Sequence, residues 1–480
     1  MSSYAPATPS PTPPVGHLDL VPTPTGDIPI IVDAARAAYD HGVTRSYDAR
    51  IARLRALRAV LVDGEAELLE ALRADLRKPD IEGWATDIAV TIGEIDFMMK
   101  HLRRWMRPER VRLPLASMPG RARVVREPLG VALVIAPWNY PVQLMIGPMA
   151  AAIAAGNAVV GKPSELAPTV ATTLGTLIAR HLPGDEVGIV QGGVEETTVL
   201  LEQRFDHILY TGNGRVARVV MEAAAKHLTP VTLELGGKSP AIVAADADVA
   251  TAAKRIAWGK FLNAGQTCIA PDHVLVDRRV EAAFNDALVG AISEFYGVDP
   301  RQSPDYARIV NAGHFRRLEK YLGEGQVIHG GETDADDLFI SPTVITDVEP
   351  GAAVMTDEIF GPVLPIVAVD DVEAAIAHVN AHDKPLALYV FSRSRATSDR
   401  VLAATSSGGA CVNHVVYHVA APGLPFGGVG PSGMGAYHGR AGFETFSHRR
   451  SVLSKPTTID PPVAYPPFTE AKKRLIRRFL

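Results

Sequence analysis

The residues with the sharpest chemical requirement lie in the stretch Asn263-Ala264-Gly265-Gln266-Thr267-Cys268-Ile269-Ala270-Pro271. Cys268 sits in a short polar loop between apolar runs, where a thiol can meet a substrate. The second of the chain's two cysteines, Cys411, stands inside the apolar run Gly-Ala-Cys-Val and reads as packing. A cysteine nucleophile needs a donor for the oxyanion it creates, and a base if water is to release its acyl product. Asn139, in Ala-Pro-Trp-Asn-Tyr-Pro, is held between two prolines that bias the backbone away from helix. An amide fixed in such a turn can donate to an oxyanion, or can bond its own backbone.

Glu234, in Leu-Glu-Leu-Gly-Gly-Lys-Ser-Pro, precedes two glycines that favour a turn at a strand end, where a carboxylate can face a cleft. It falls twenty residues after Gly214, the spacing of a ribose-binding acid, and it can equally activate water or lie on the surface. Gly212-Asn213-Gly214-Arg215-Val216-Ala217 follows an apolar run and opens a helical one. It fits G-x-G-x-x-G/A, which holds a pyrophosphate on backbone amides and is also ordinary turn chemistry.

These residues need a frame. Ile51, Leu54, Leu57 and Leu61 recur at helical spacing, so the chain from Asp33 to about Arg104 reads as helical. Residues 111–128 read as an extended hairpin. From there strands and helices alternate: Gly130–Pro137, a helix ending at Gly156, Asn157–Pro163, a helix, Val187–Gly193, Asp206–Gly212, a helix, and Thr229–Gly237. A second series runs from Ser239 to Ser392, and Cys268 lies in the loop after its first helix. Strands apolar throughout predict parallel sheets covered on both faces.

The 480 residues suggest two or three domains, and a net charge of −5 gives no electrostatic reason for a nucleic-acid partner. Two distant cysteines offer no disulfide framework, so a reducing cytoplasm is expected, and the 15 histidines show no zinc spacing. The Pro-rich residues 1–26 lack a signal peptide's basic and apolar regions and read as a disordered leader. Pro128–Gly161 carries no charge and is long enough to span a membrane, but its prolines and asparagines favour strand, turn, helix and strand. The basic amphipathic end, Phe468–Leu480, can touch an anionic membrane surface weakly, or lie on the protein or a subunit partner.

Ala-Pro-Trp-Asn139-Tyr-Pro, Gly-Lys162-Pro-Ser-Glu165, Leu-Glu234-Leu-Gly-Gly-Lys-Ser-Pro, Gln-Thr-Cys268, Glu358-Ile-Phe360-Gly-Pro and Leu-Pro-Phe-Gly-Gly-Val-Gly-Pro-Ser-Gly-Met-Gly occur in this order. Together they resemble the NAD(P)-dependent aldehyde dehydrogenase superfamily over residues 30 to 455, most like its class 3 branch, which handles fatty and aromatic aldehydes. The resemblance implies an α/β protein. A Rossmann-type cofactor domain (27–110 and 129–236) and an α/β catalytic domain (237–436) are joined by an oligomerisation region and tail (111–128 and 437–480), as a homodimer. It implies Cys268 as nucleophile, Asn139 with the Cys268 N–H as oxyanion donors, and Glu234 as the base for deacylation. Lys162 and Glu165 would contact the adenosine ribose, Glu358 and Phe360 would position the nicotinamide half, and Gly212, Asn213 and Trp138 would complete the cofactor site. The cofactor implied is NAD, with NADP possible, because Glu165 can bond a free ribose hydroxyl and repel a 2′-phosphate. The chain departs from the branch at Gly214, Arg215 and Ala217 in the turn, and at His414, where an acidic residue is usual beside the substrate funnel.

Three alternatives remain at this level. A CoA-acylating relative would generally lack the acid at Glu234, a cysteine hydrolase would have no use for Lys162, Glu165, Glu358 and Phe360, and a binding protein would not need the catalytic set. Titration with cofactor separates the last two from a dehydrogenase.

Overall fold

Residues 18–479 are described in this computed structural model. Helices Tyr47–Asp63, Glu65–Leu76 and Val90–Trp105 share one core, the last entered through Asp80–Gly83 and a π-helical turn, Trp84–Ala89, while Asp27–Asp40 packs in a second core. Ile51, Leu54, Leu57 and Leu61 are all buried, as their spacing predicts. Residues 1–17 of the expected leader lie outside the described residues. The rest of it is tied to the protein, since Thr23 and Gln191 exchange hydrogen bonds of 2.9 Å in both directions.

The hairpin is β1 (Glu109–Val111) with β2 (Arg121–Pro128), antiparallel. The first large sheet follows: β3 (Val131–Ile135), β4 (Ala158–Lys162), β5 (Val187–Ile189), β6 (His207–Thr211) and β7 (Val231–Glu234), all parallel, in the order β7-β6-β3-β4-β5. Alternate residues of β3 enter different cores: Val131, Leu133 and Ile135 pack on one face, Ala132 and Val134 on the other. That two-sided burial is why β3 is apolar at every position. The uncharged stretch is accounted for by β3, the helix Gln143–Ala155 and β4, and among the described residues no helix is long and apolar enough to cross a membrane.

The second sheet contains β8 (Pro240–Val243), β9 (His273–Asp277), β10 (Gln326–His329), β13 (Thr343–Thr346), β14 (Val363–Val369), β15 (Ala387–Phe391) and β16 (Gly409–Val412). Its order is β10-β13-β14-β9-β8-β15-β16, parallel except for β10. A small ribbon, β11 (Thr333–Asp334) with β12 (Phe339–Ile340), stands apart from it.

The chain then returns to the first half. β17 (Gly433–Met434) adds antiparallel to β7, and the helix Gly439–Thr445 packs against Gln143–Ala155 and Val90–Trp105. β18 (Ser447–Ser454) pairs with β2 along its whole length, Ser447 opposite Pro128 and Ser454 opposite Arg121. Residues 433–445 therefore pack with the first sheet, and β1, β2 and β18 form a separate three-stranded sheet. The basic end forms the helix Glu470–Phe479.

Candidate active site

The first sheet presents the carboxyl ends of its strands. Lys162 ends β4 beside Ile135 of β3, Trp138 and Asn139 follow β3, Gly212 follows β6, and Glu234 ends β7 opposite Thr211. β3 and β6 are adjacent, yet the chain goes from β3 outward to β5 before it crosses to β6. That reversal opens a crevice in which doubly wound sheets bind ligands. The second sheet contributes the segments that precede its strands: Lys238 before β8, Cys268 before β9, and Glu358 and Phe360 before β14.

The Cys268 loop is shaped by a left-handed turn. Asn263, Ala264 and Gly265 have φ of 52°, 51° and 75°, which costs a non-glycine residue about 1–2 kcal/mol. Its Gly is required for space as well, because a Cβ on Gly265 would lie 2.2 Å from the Gly361 carbonyl oxygen. Gly265→Ala is expected to displace the loop from residues 358–362, lowering turnover by about 10²-fold, the scale of a 1 Å misplacement. Specific activity beside a thermal melt checks this.

Gln266 is fully buried and locks the loop: its Nε2 donates to the carbonyls of Asn263 (3.0 Å) and Arg308 (2.9 Å), and its Oε1 accepts from the Val310 N–H (3.0 Å). Asn139, also buried, donates one amide hydrogen to the Gln266 carbonyl at 3.0 Å, which leaves the other for a ligand. Its own carbonyl accepts from Lys78 Nζ and Asn263 Nδ2, each at 2.9 Å. Beside it the Tyr140 and Thr267 hydroxyls are 2.6 Å apart.

The Cys268 thiol is pushed up to about 12, first by burial and then by the carboxylates Glu358 and Glu234, against backbone N–H groups of Cys268 and Ile269 directed at its sulfur. Glu234 is 1% exposed, and neither of its oxygens has a hydrogen-bond partner. Burial alone raises its carboxyl well above the usual range. Glu358 lies against Gly236, where a Cβ would come within 2.2 Å of its oxygens, and burial raises it to about 8. The strand-end turn of Glu234 thus places both carboxylates around one thiol.

Two further clusters flank this centre. Trp138 meets His314 at 5.3 Å and Phe360 at 5.4 Å between ring centres, forming an aromatic wall. The segment bearing Phe360 is held by Asp272, which accepts from the Ile359 N–H at 2.9 Å and pairs with Lys238, and by Arg317, which donates to the Ile359 carbonyl at 2.8 Å. At the other edge Lys162 Nζ bonds Glu165 at 2.7 Å.

A dinucleotide suits these groups: an aromatic wall, an exposed Glu165 with a paired Lys162, and a buried Thr211 hydroxyl without a partner at the glycine turn. The turn itself uses most of its donors internally, contrary to a simple amide cradle. The N–H groups of Gly212, Asn213 and Val216 bond the Glu234 carbonyl, the Tyr210 hydroxyl and the Asn213 side chain. The first two helical amides, Gly214 and Arg215, are those the helix leaves free.

Cys411 packs against the main core but is only half covered, with its sulfur 3.3 Å from His418 Nδ1. His414 stacks edge-on with Tyr417 at 4.3 Å and faces Trp258 at 5.9 Å. Sequence reasoning missed Lys78, Asp87, Gln266, Tyr140 and His314. Gln266 alone carried a local signal, its place two residues before Cys268.

This arrangement, a doubly wound sheet whose carboxyl edge faces a half-buried, carboxylate-flanked cysteine, defines a cofactor-dependent enzyme of the thiol type. Residues 21–452 match the aldehyde dehydrogenase family, and the chain belongs to it. It is 48% identical to the dimeric NADP-preferring aldehyde dehydrogenase of Canis lupus familiaris over 91% of this chain and 97% of that one. It is 47% identical to aldehyde dehydrogenase family 3 member A2 of Mus musculus, over 93% of this chain and 92% of that one. Staphylococcus aureus AldH in a substrate-bound state superposes with a TM-score of 0.92 at 40% identity, covering 94% of this chain and 99% of that one. The Mycobacterium tuberculosis aldehyde dehydrogenase complexed with NAD+ does so at 0.81 and 28%, covering 90% of each. The protein is an aldehyde dehydrogenase of the family 3 type.

Proposed function

We propose that this enzyme oxidises medium- or long-chain aliphatic or aromatic aldehydes to carboxylic acids through a thioester on Cys268 that Glu234 hydrolyses. The observation that carries the reading is the buried, unpartnered Glu234 carboxyl within electrostatic reach of the Cys268 thiol. The thiolate adds to the aldehyde carbon, and the free amide hydrogen of Asn139 with the Cys268 N–H receives the oxyanion. Bound in the crevice, the nicotinamide supplies the acceptor for the hydride that leaves as the adduct collapses to the thioester. Glu234 then takes a proton from water, the oxygen attacks the thioester carbon, and the C–S bond breaks to give the carboxylic acid and the Cys268 thiolate. Lys162, Glu165, Trp138, Gly212, Asn213, Glu358 and Phe360 hold the cofactor in this reading. A carboxylate in the role of Glu234 favours water over CoA as acyl acceptor.

The substrate range is supported by the aromatic group Trp258, His414 and Tyr417, and by likeness to family 3 relatives. A homodimer is supported by the exposed Val111 and Leu453 on the separate three-stranded sheet, and by the word dimeric in the canine relative's name. Two free cysteines suit a reducing cytoplasm. The final helix, with Lys472, Lys473, Arg474, Arg477 and Arg478 on it, supports weak contact with anionic membrane surfaces.

The test is NAD(P)H formation with acetaldehyde, benzaldehyde, hexanal and a long-chain aldehyde, each with NAD and with NADP, in the presence and absence of CoA, and identification of the product. Free acid with the highest kcat/KM on the larger aldehydes is expected. A CoA requirement, or preference for acetaldehyde, overturns the reading.

A further inference from the structure

Lys78 and Asp87 form an ion pair of 2.8 Å in which both side chains are 0% exposed. Neither touches a reacting atom. Their other bonds all run to one place, the turn that carries Asn139. Lys78 Nζ donates to the Asn139 carbonyl at 2.9 Å and stands 4.0 Å from the Tyr140 ring centre. Asp87 Oδ1 accepts from the N–H groups of Val142 and Gln143 at 3.2 and 3.3 Å, at the start of the helix Gln143–Ala155. A carboxylate there satisfies helix-terminal donors and suits the positive end of the helix dipole. The pair therefore grips the turn from both sides of Tyr140.

An ion pair hidden from water is a poor stabiliser, because desolvating two charges offsets most of their attraction. Its cost is easier to understand where it fixes a geometry. Here that geometry is the Asn139 carbonyl, which sets the peptide plane from which the side-chain amide projects to the Gln266 carbonyl.

We propose that Lys78 and Asp87 are positioning residues of the oxyanion site, holding the Asn139 turn against the Cys268 loop so that the second amide hydrogen stays directed at the substrate oxygen. This rests on the reading of Asn139 as oxyanion donor. The pair acts only through Asn139, so its loss matters only while that amide is present. The link between Glu65–Leu76 and Asp80–Gly83, which carries Lys78, and the turn Trp84–Ala89, which carries Asp87, thereby join the machinery, although they contribute no group to the substrate.

The test is a mutant cycle on the first turnover, read as the rate of the NAD(P)H burst. K78M/D87N removes both charges, while Asn still accepts from the helix amides. A thermal transition and cofactor Kd near wild type are expected, with a burst slowed on the order of 10- to 100-fold. In an N139A background the same double change is expected to slow the burst by less than about twofold further, because coupled groups are not additive. K78R keeps the charge but alters the donor geometry on the Asn139 carbonyl, and it decides the matter if K78M/D87N does not fold: a slowed burst with unchanged cofactor Kd is expected. A wild-type burst in the folded variants, or full additivity with N139A, overturns the proposal. If N139A itself keeps a wild-type burst, the reading of Asn139 fails first and this inference with it.

Discussion

Cys268→Ala protein is expected to fold, to bind NAD(P) and to lose NAD(P)H formation from every aldehyde by about 10⁴-fold or more, because deleting a nucleophile removes the covalent step itself. The flat carbonyl is a poor hydride donor, and only addition of the thiolate makes the tetrahedral carbon from which hydride can leave. The neighbouring groups cannot replace it: Asn139 only donates, and the Glu234 and Glu358 carboxyls, both raised by desolvation, are far weaker nucleophiles towards a carbonyl than a thiolate. Cys411 keeps its thiol against His418 in β16 and does not compensate. Alkylation gives an independent readout. With its pKa pushed up to about 12, Cys268 is overwhelmingly a thiol at neutral pH without ligands. Its modification by iodoacetamide therefore rises about tenfold per pH unit from about pH 7 to 9, the slope of a thiolate fraction far below its midpoint. A plateau below about pH 8 shows that something other than these carboxylates governs the thiol. Residual NAD(P)H formation at a tenth of wild type removes Cys268 from the chemistry.

The strands and the catalytic turns are legible in the chain, for a physical reason. Strands covered on both faces are apolar through their middle residues, so β3, β4, β6 and β9 stand out as runs, and the turns between them collect Gly, Pro and Asn. The residues proposed for catalysis carry their own signature in such turns, as Cys268 beside Gly265 and Asn139 between prolines do. Polar elements carry none. The helix Ala312–Tyr321 bears Arg316, Arg317, Glu319 and Lys320 and shows no apolar run, yet it supplies His314 to the aromatic wall. Val194–Glu202 is short and rich in Thr and Glu, so the chain between β5 and β6 shows no helical stripe. Lys78 and Asp87 are least visible, since their burial exists only once the helical layer closes over the Asn139 turn. The glycine turn is legible as a turn, but the capture of its amides by Tyr210 and Glu234 depends on β6 lying beside β7. Pairing of β17 and β18 with strands hundreds of residues earlier is likewise a tertiary fact, without a local cue.

Glu234→Gln protein is expected to give a burst of about one NAD(P)H per active site and then to turn over some 10²- to 10⁴-fold more slowly, the range lost with a general base. Gln has nearly the same volume, and neither Glu234 oxygen has a partner to lose, so acylation proceeds while the thioester waits for an activated water. The pH profile separates this from a general loss of structure. Burial raises the Glu234 carboxyl, and the base is its ionised form, so wild-type deacylation climbs with pH above the range where exposed carboxylates have already ionised. That climb is absent in the Gln variant. Stability moves the opposite way. A carboxyl whose folded pKa exceeds its unfolded value contributes fully below the unfolded pKa, and the contribution falls as pH rises towards the folded pKa. Gln has no proton to lose, so the variant gains on the wild type in thermal melts as the buffer becomes more alkaline. Glu358 is the informative control, since its charge raises the Cys268 thiol more than that of Glu234 does. Glu358→Gln is expected to raise the KM for cofactor and leave no burst, because its carboxyl lies beside the Phe360 segment. A burst in Glu358→Gln with normal turnover in Glu234→Gln exchanges their roles and assigns water activation to the carboxylate that leans on Gly236.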